Sequence, residues 1–443
     1  MIKKIQNNFK TFFFSATAIT ILALSVLAFM LFWGNGLLST NPAATKIYFA
    51  DNISPTHLLL INKFNEKYKG KIEVVPIDLP FQKFSTNERK ELLIRSLRSR
   101  NERIDIFSVD QIWVPRFAKW TEPLNRYLTQ PNRDQLLDLV LQTSYYKNDL
   151  VALPLYFDLG MMYINNDFLK TQQGYEELKN ELENFITWER FVEISKKMKI
   201  GSKPYYLFPA DDYEGLMCSF IELLEQQNSK MFDGDTVRIT TPQAEKALQL
   251  LVDLVNTHGL SPESVLDSRE SECYHAYIEE NGIFLRGWSG LVNWYRVNIS
   301  YIEQLPKYSV VPLPHFKGGK PSSIVGGWNM MLSKYSSNKS EAVEFMKYLI
   351  SEEAQHILYT NGGYLPVIKS FYTNKEINQK HPETSFLKKL ITTAVHRPFL
   401  DKYTRCSDVI AHYLNLALRK KISPLEALKT AERVINSREF FIK

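Results

Sequence analysis

Residues 46–110 read KIYFADNISPTHLLLINKFNEKYKGKIEVVPIDLPFQKFSTNERKELLIRSLRSRNERIDIFSVD. The strand-like opening at 46–50 stops at Asp51 and Asn52. A helical pattern follows, with Leu58, Leu59, Ile61, Phe64 and Tyr68 on one side, and closes at Gly70. Residues 72–77 read as a second strand and 89–97 as a second helix. Residues 104–109 form a short apolar run of the kind that fills a buried parallel strand. Strand, helix, strand, helix, strand in this order begins a doubly wound α/β sheet, and such sheets hold ligands beyond the carboxyl ends of their strands. Asp110 stands directly after the third strand.

Downstream the alternation continues without an exact repeat. Residues 150–155 and 160–164 look extended, 187–198 reads as a helix opened by Thr187, and 214–226 as another. The Asp233-Gly234-Asp235 turn precedes a strand and an amphipathic helix over 242–255. Helices over 341–349, 353–360 and 424–436 close the chain. A second α/β unit therefore sits inside the chain, and no low-complexity linker separates it from the first. The backbone is expected to cross between two lobes more than once. The length agrees, because 443 residues exceed what one core comfortably serves.

Upstream, Lys3, Lys4 and Lys10 precede an uncharged, mostly apolar run over 12–33, long enough to cross a bilayer. Phe29, Leu31, Phe32 and Trp33 crowd the place where a signal peptidase would need small residues. The run is therefore read as an uncleaved transmembrane helix, with residues 1–11 cytoplasmic, 34–45 a linker and the remainder outside. A cleaved signal ending after Ala44, which would free a soluble periplasmic form, is the alternative. No cysteine near the run offers a site for lipid modification.

With those three lysines set aside, 51 basic residues face 48 acidic ones, so the exported part is nearly neutral. It lacks the basic stripe of a nucleic-acid binder. Cys218, Cys273 and Cys406 have none of the spacings of a zinc or redox motif and are expected as buried thiols. Gly318-Gly319-Lys320 lacks the rest of a phosphate loop, no HExxH occurs, and Gly287-Trp288-Ser289-Gly290 has the wrong spacing for a nucleophile elbow. His57, His275 and His412 read as ordinary structural or surface residues. No cofactor and no metal is expected.

What remains is aromatic. Trp113, Tyr156, Phe157, Trp288, Trp294 and Trp328 stand beside Gly, Pro, Asp or Asn at strand ends. Gly326 and Gly327 leave room for a close backbone approach that would turn the Trp328 indole outward, with Asn329 ready to bind a hydroxyl at its edge. Such aromatics, together with Asp110, Asp158 and Glu214, would stack on apolar faces and accept hydrogen bonds from hydroxyls. Neutral sugars present both.

Several ordered segments resemble one family. They are DIFSVDQIWVPRFAKWTEPL at 105–124, LPLYFDLGMMYIN at 153–165, YEGL at 213–216, GIFLRGW at 282–288 and VPLPHFKGGKPSSIVGGWNMMLSK at 311–334. Residues 362–366, Arg397-Pro398 and ISPLEAL at 422–428 complete the set. In order and spacing the chain resembles the extracellular solute-binding proteins of ABC importers over 46–436, the trehalose- and maltose-binding proteins most of all.

The resemblance implies a two-lobed, periplasmic-binding-protein-like α/β fold with hinge crossings. Lobe 1 would take 46–155 and 327–367, and lobe 2 would take 156–326 and 368–443. Asp110 and Asp158 match carboxylates that accept sugar hydroxyls, Tyr156, Trp288 and Trp328 match stacking positions, and Glu214 and Arg397 match polar positions on the second lobe's cleft wall. Function would be capture of a neutral disaccharide or glycosylated polyol of the trehalose, maltose, sucrose or glucosylglycerol class, by a monomer that delivers it to membrane permease subunits served by a cytoplasmic ATPase. A membrane-anchored sugar sensor and a glycoside hydrolase are the competing readings. Two departures fall on the ligand: 52–57 reads NISPTH where the family's disaccharide binders carry an acidic residue, and 286–289 reads RGWS in place of Arg-Asn-Trp-Pro.

Overall fold

The computed structural model describes residues 44–437 apart from 81–82, 84–85, 101–102 and 292–306. The expected membrane helix at 12–33, the segments flanking it up to 43, and Trp294 lie outside the described residues. Among the described residues no helix is long and apolar enough to cross a membrane. Residues 65–73 group with the chain up to Lys46 as a small unit. Within it the Thr45 N–H donates to Lys71 O (2.9 Å) and Lys46 Nζ faces Glu73 at 3.7 Å. The larger unit takes residues 47–64 and everything from Val74 onward.

The expected start is present as β1 (Thr45–Asp51), α1 (Pro55–Lys67), β2 (Ile72–Asp78), α2 (Thr86–Arg98) and β3 (Ile106–Asp110). β1 and β3 pair in parallel, with Phe49 beside Ile106. Helix α1 is rotated from its expected face. Thr56, His57, Leu60, Ile61 and Phe64 are buried, whereas Leu58 and Leu59 are 42% and 37% exposed. Phe64 fixes that rotation by packing edge-on against Phe345, at 4.9 Å between centroids, and against Tyr348.

The two extended stretches expected around 150–164 are one strand, β4 (Leu153–Asn165), buried at every position but Asp158. Then come α3 (Trp188–Ser195), capped by Thr187 as expected, β5 (Tyr206–Leu207), α4 (Glu214–Glu225), α5 (Pro242–Asn256), α6 (Glu270–Glu279), β6 (Phe284–Trp288), β7 (Tyr308–Val311) and β8 (Ser323–Leu332). Helices α7 (Lys339–Leu349) and α8 (Glu352–Gly362), strand β9 (Ala394–His396), and helices α9 (Tyr403–Leu418) and α10 (Pro424–Asn436) finish the described chain. Cys218, Cys273 and Cys406 are buried free thiols.

Strand order is β2-β1-β3-β8-β4-β6-β5, with β7 also on β4 and β9 also on β8. β4 and β8 join the two halves of this sheet. From Leu153 to Leu159, β4 pairs with β8; from Gly160 onward it pairs with β6. The change of partner falls at Leu159–Gly160, next to Asp158.

Candidate functional site

Each of the four strands at this junction leaves one residue only partly buried, and all its other residues are buried. In β3 that residue is Asp110, in β4 Asp158, in β6 Trp288 and in β8 Trp328. A strand covered on both faces should be apolar throughout, so a polar or amphipathic residue kept open in each is a departure from packing. Register brings them together. Trp328 lies opposite Asp110 on one side and Tyr156 on the other, and Gly326 lies opposite Asp158. Trp288 pairs with Gly160, two residues from Asp158.

The glycines before Trp328 serve the packing more than an outside approach. A Cβ at Gly326 would come within 3.0 Å of the Trp288 ring. Gly327 has φ +143°, and a Cβ there would meet Tyr156 O at 2.7 Å. They allow the second indole to lie across β8 and the strands to close up, while the chain shifts register between Trp328 and Asn329. Asn329 does not reach the edge of the indole. It is 2% exposed and its amide donates to Thr143 O (3.1 Å) and Oγ1 (3.0 Å).

Both tryptophans have a buried arginine over the ring. Arg89 Cζ lies 4.5 Å from the Trp328 centroid and Arg286 Cζ lies 4.3 Å from that of Trp288. Arg89 bonds Asp51 at 3.2 Å, and both side chains are 1% exposed. Arg286 bonds both oxygens of Glu222, at 2.9 and 3.4 Å. Trp113 packs edge-on against Trp328 at 5.7 Å. The Trp288 indole N–H donates to Glu270 at 3.2 Å.

Asp158 accepts a hydrogen bond from Ser289 Oγ at 2.8 Å. Burial raises its pKa to about 6, the Ser289 bond opposes the rise, and the charge of Asp110 adds to it. Tyr156 is buried and stacks at a tilt on Tyr364, 4.3 Å between centroids; burial drives its phenol well above the usual range.

Arg397 links the remaining two expected residues. It is 5% exposed and donates to Asp110 Oδ1 at 2.7 Å and Oδ2 at 3.2 Å, and to Glu214 Oε1 at 3.1 Å. Glu214 also accepts from Tyr403 (2.8 Å) and Ser407 (2.6 Å) on α9. Burial raises the Glu214 pKa, with Arg397 and the two hydroxyls pulling the other way. Burial opposes the charge on Arg397, but Asp110 and Glu214 outweigh it and hold the guanidinium above its ordinary range.

All seven expected residues therefore form one contiguous constellation. Its surroundings include groups that sequence reasoning passed over. Asp51, the last residue of β1, supplies a carboxylate at the start of the loop that reads as lacking one. His57, expected as ordinary, is buried, accepts from or donates to Ser54 Oγ at 2.9 Å, and lies against Tyr156 and Tyr364. Burial lowers its pKa. Among the described residues Asp51 Oδ2 and His57 Nε2 are buried without a hydrogen-bond partner. Tyr364 could have been found beside Gly362 and Gly363; nothing in the sequence marks Arg89, a charged residue in a charged helix. No group of three or more His, Cys, Asp or Glu among the described residues could share a metal ion.

Comparison with known proteins bears on this arrangement. Residues 47–356 match the family model described as bacterial extracellular solute-binding protein. A probable ABC transporter-binding protein of Deinococcus radiodurans is 26% identical over 361 residues, which cover 78% of this chain and 83% of that protein. The maltose-bound structure of MalE3 from T. maritima is similar with a TM-score of 0.78 and 27% identity, covering 88% of this chain and 98% of the other. A solute-binding protein of Thermotoga lettingae bound to α-D-tagatose shares the fold, with a TM-score of 0.76 and 21% identity over 89% of this chain and 99% of its own.

Proposed function

The chain belongs to the bacterial extracellular solute-binding protein family, and on that premise we propose that it is the extracytoplasmic receptor of an ABC importer for a neutral disaccharide or glycosylated polyol. One observation carries the ligand class: the partly open residues of the four junction strands are two tryptophans and two aspartates, which gather around Asp158. A pyranose has C–H groups for an indole face and hydroxyls for a carboxylate. Maltose and tagatose, carried by two similar proteins, are of this chemistry.

In this reading Trp288, Trp328 and Tyr156 present the apolar surface, and Asp158 accepts sugar hydroxyls. Asp110, Glu214 and Arg397 form the polar wall, with the arginine keeping the two carboxylates together. The partner change in β4 at Leu159–Gly160 supports reading that segment and the neighbouring part of β8 as the hinge between lobes 46–155 with 327–367 and 156–326 with 368–443, and ligand would favour the closed state. Residues 12–33 anchor the receptor, so that it works beside its permease. The chain itself performs no chemistry. Glycoside hydrolysis needs two carboxyl groups disposed across one bond, whereas Asp110 gives both oxygens to Arg397 and Glu214 gives its own to Arg397, Tyr403 and Ser407.

The test is a thermal-shift screen of the full-length protein, in a neutral detergent that is not itself a glycoside, against maltose, trehalose, sucrose and glucosylglycerol. At a hundredfold excess over Kd, binding stabilises the native state by about 2.7 kcal/mol. One of these ligands should raise the melting temperature with no sugar product released. No shift with any of them, or release of free glucose, overturns the reading.

A further inference from the structure

A cavity of about 580 Å³ opens beside the short helix Val114–Phe117, and none of the seven expected sugar-site residues lines it. One wall comes from the end of α2 and from residues 115–123. A second comes from the hairpin around Tyr146 and Asp149, and a third from the start of α9. Six cations line it: Arg98, Arg116, Lys119, Lys147, Lys402 and Arg405. Asp149 and Asp401 are the carboxylates in the same lining, so six positive charges stand against two negative ones, an excess of four. In a chain whose exported part is nearly neutral, that concentration is a local feature and not a reflection of composition.

Two of these cations meet carboxylates that lie outside the lining. Arg116 meets Glu91 at 3.7 Å and Lys402 meets Asp235 at 3.6 Å, and those carboxylates are 58% and 89% exposed. Long, solvated pairs of this kind are worth about 0 to 1 kcal/mol. Asp401 is already engaged, accepting from the Tyr146 hydroxyl at 2.9 Å. Arg116 is half-buried, and its pKa is lowered, first by burial, against the pull of Glu91, with the charges of Arg405 and Arg98 adding to the fall and Asp408 opposing it. Below the cations, Trp120 makes an apolar floor with Lys119 Nζ 4.3 Å from its ring. Arginines that repel one another across a concave wall become favourable partners once an anion sits between them, because a guanidinium fork matches two oxygens of a phosphate at once.

We propose that this cavity binds a phosphate-class anion carrying two or more oxygens for the arginines, either a free diphosphate or the phosphodiester headgroup of an anionic lipid. The site is separate from the sugar reading and stands or falls independently of it. It also has a mechanical consequence. Helix α9 offers Arg405, with Lys402 at its N-cap, to the cavity and Tyr403 and Ser407 to Glu214. An anion held by Arg116 and Arg405 would therefore tie the helix that holds Glu214 to the segment that follows Asp110.

The test is calorimetric titration of the full-length protein, in the same neutral detergent at low ionic strength, with inorganic pyrophosphate, dihexanoyl-phosphatidylglycerol and dihexanoyl-phosphatidylcholine. The expected result is saturable binding of pyrophosphate or of phosphatidylglycerol, weakened at least tenfold in Arg116→Ala/Arg405→Ala. Lys420→Ala/Lys421→Ala, which removes the same charge at the far end of α9, should change it less than twofold. Should the arginine variant fail to fold by circular dichroism, Arg98→Ala/Lys147→Ala, both at exposed side chains, serves in its place with the same expectation. Pyrophosphate binding with no preference between the two lipids identifies a soluble anion. A preference for phosphatidylglycerol that pyrophosphate competes away identifies a headgroup. No saturable binding of either anion, or an equal loss in the Lys420/Lys421 control, overturns the proposal.

Discussion

Two tryptophans in the two halves of the sheet are built on the same plan, an indole over a buried arginine held by a buried carboxylate, yet the two stacks are not equivalent. Under Trp288, Arg286 makes two bonds to Glu222, whose Oε1 also accepts from the Ile324 N–H at 3.2 Å. The attraction of Glu222 outweighs burial there, and the arginine's pKa is raised. Under Trp328, Arg89 meets Asp51 at 3.2 Å, burial outweighs that attraction, and the pKa is lowered. Asp51 Oδ2 has no partner among the described residues. In the first stack both carboxylate oxygens are engaged, although Arg286 Nη1 is itself buried without a hydrogen-bond partner among the described residues, and that stack behaves as a floor. The other keeps polar capacity in reserve, which is what a site that must exchange protein contacts for ligand contacts requires.

The sharpest way to break that contrast is to remove each arginine. Arg286→Ala strands Glu222, 5% exposed at its side chain, without its counter-charge; a loss of about 3 to 5 kcal/mol is expected, read from urea unfolding. Arg89→Ala should cost less in unfolding, since burial already offsets much of its ion pair, but more in sugar affinity. The reverse order, with Arg89 the greater loss in stability and Arg286 the greater loss in affinity, would mean that the two roles are assigned the wrong way round.

Next in size are the indoles themselves. Each already has one face occupied by an arginine, so at most the other face is left for a sugar. Trp328→Ala is expected to cost about 2 kcal/mol of binding, roughly thirtyfold in Kd, in a protein that stays folded. Trp288→Ala should lose affinity and also stability, because its indole N–H and ring tie Glu270 and Arg286 together. Asp233→Ala, in the exposed turn of the hairpin Phe232–Val237, should change neither. Calorimetric titration beside circular dichroism separates these outcomes, and a Trp328→Ala protein that binds like the parent would remove Trp328 from the site.

The unequal stacks also explain what the sequence could and could not reveal. Strand and helix order around β1 to β3 was legible because apolar periodicity is local, and Pro424–Asn436 was legible to its ends because Ser423 caps it, accepting from the Glu426 N–H at 3.2 Å. The partly open residues were legible because each interrupts an apolar strand or follows one. The arginines beneath the tryptophans were not. Arg89 lies in a helix where charge is ordinary, Arg286 in a strand segment read as a departure from a motif, and each acquires meaning only through sheet register. For the same reason Asn329 misled: its neighbour in sequence is Trp328, but its partner in space is Thr143. The exposed Leu58 and Leu59 show a further limit, since periodicity could not foresee that His57 would take a buried place on α1.

The smallest expected effect is at the seam between the stacks. Asp158 has a folded pKa of about 6, above the value near 4 of an unfolded aspartate. Between those values the native state binds more protons than the unfolded one, so this group's contribution falls as pH rises from about 4 through 6 and stays at its lowest above that. Two pKa units correspond to at most about 3 kcal/mol, and partial solvent access reduces this to about 1 to 2. Asp158→Asn cannot ionise and can still accept from Ser289. It should therefore melt with the parent at pH 4 and gain that amount above pH 7, while binding sugar more weakly there because a neutral amide is a poorer acceptor for hydroxyls than a carboxylate. Melting curves across pH 4 to 8 with parallel titrations read both quantities. An Asn variant less stable than the parent above pH 7 would show that the Asp158 charge holds the fold together, and that the polar reserve lies only beneath Trp328.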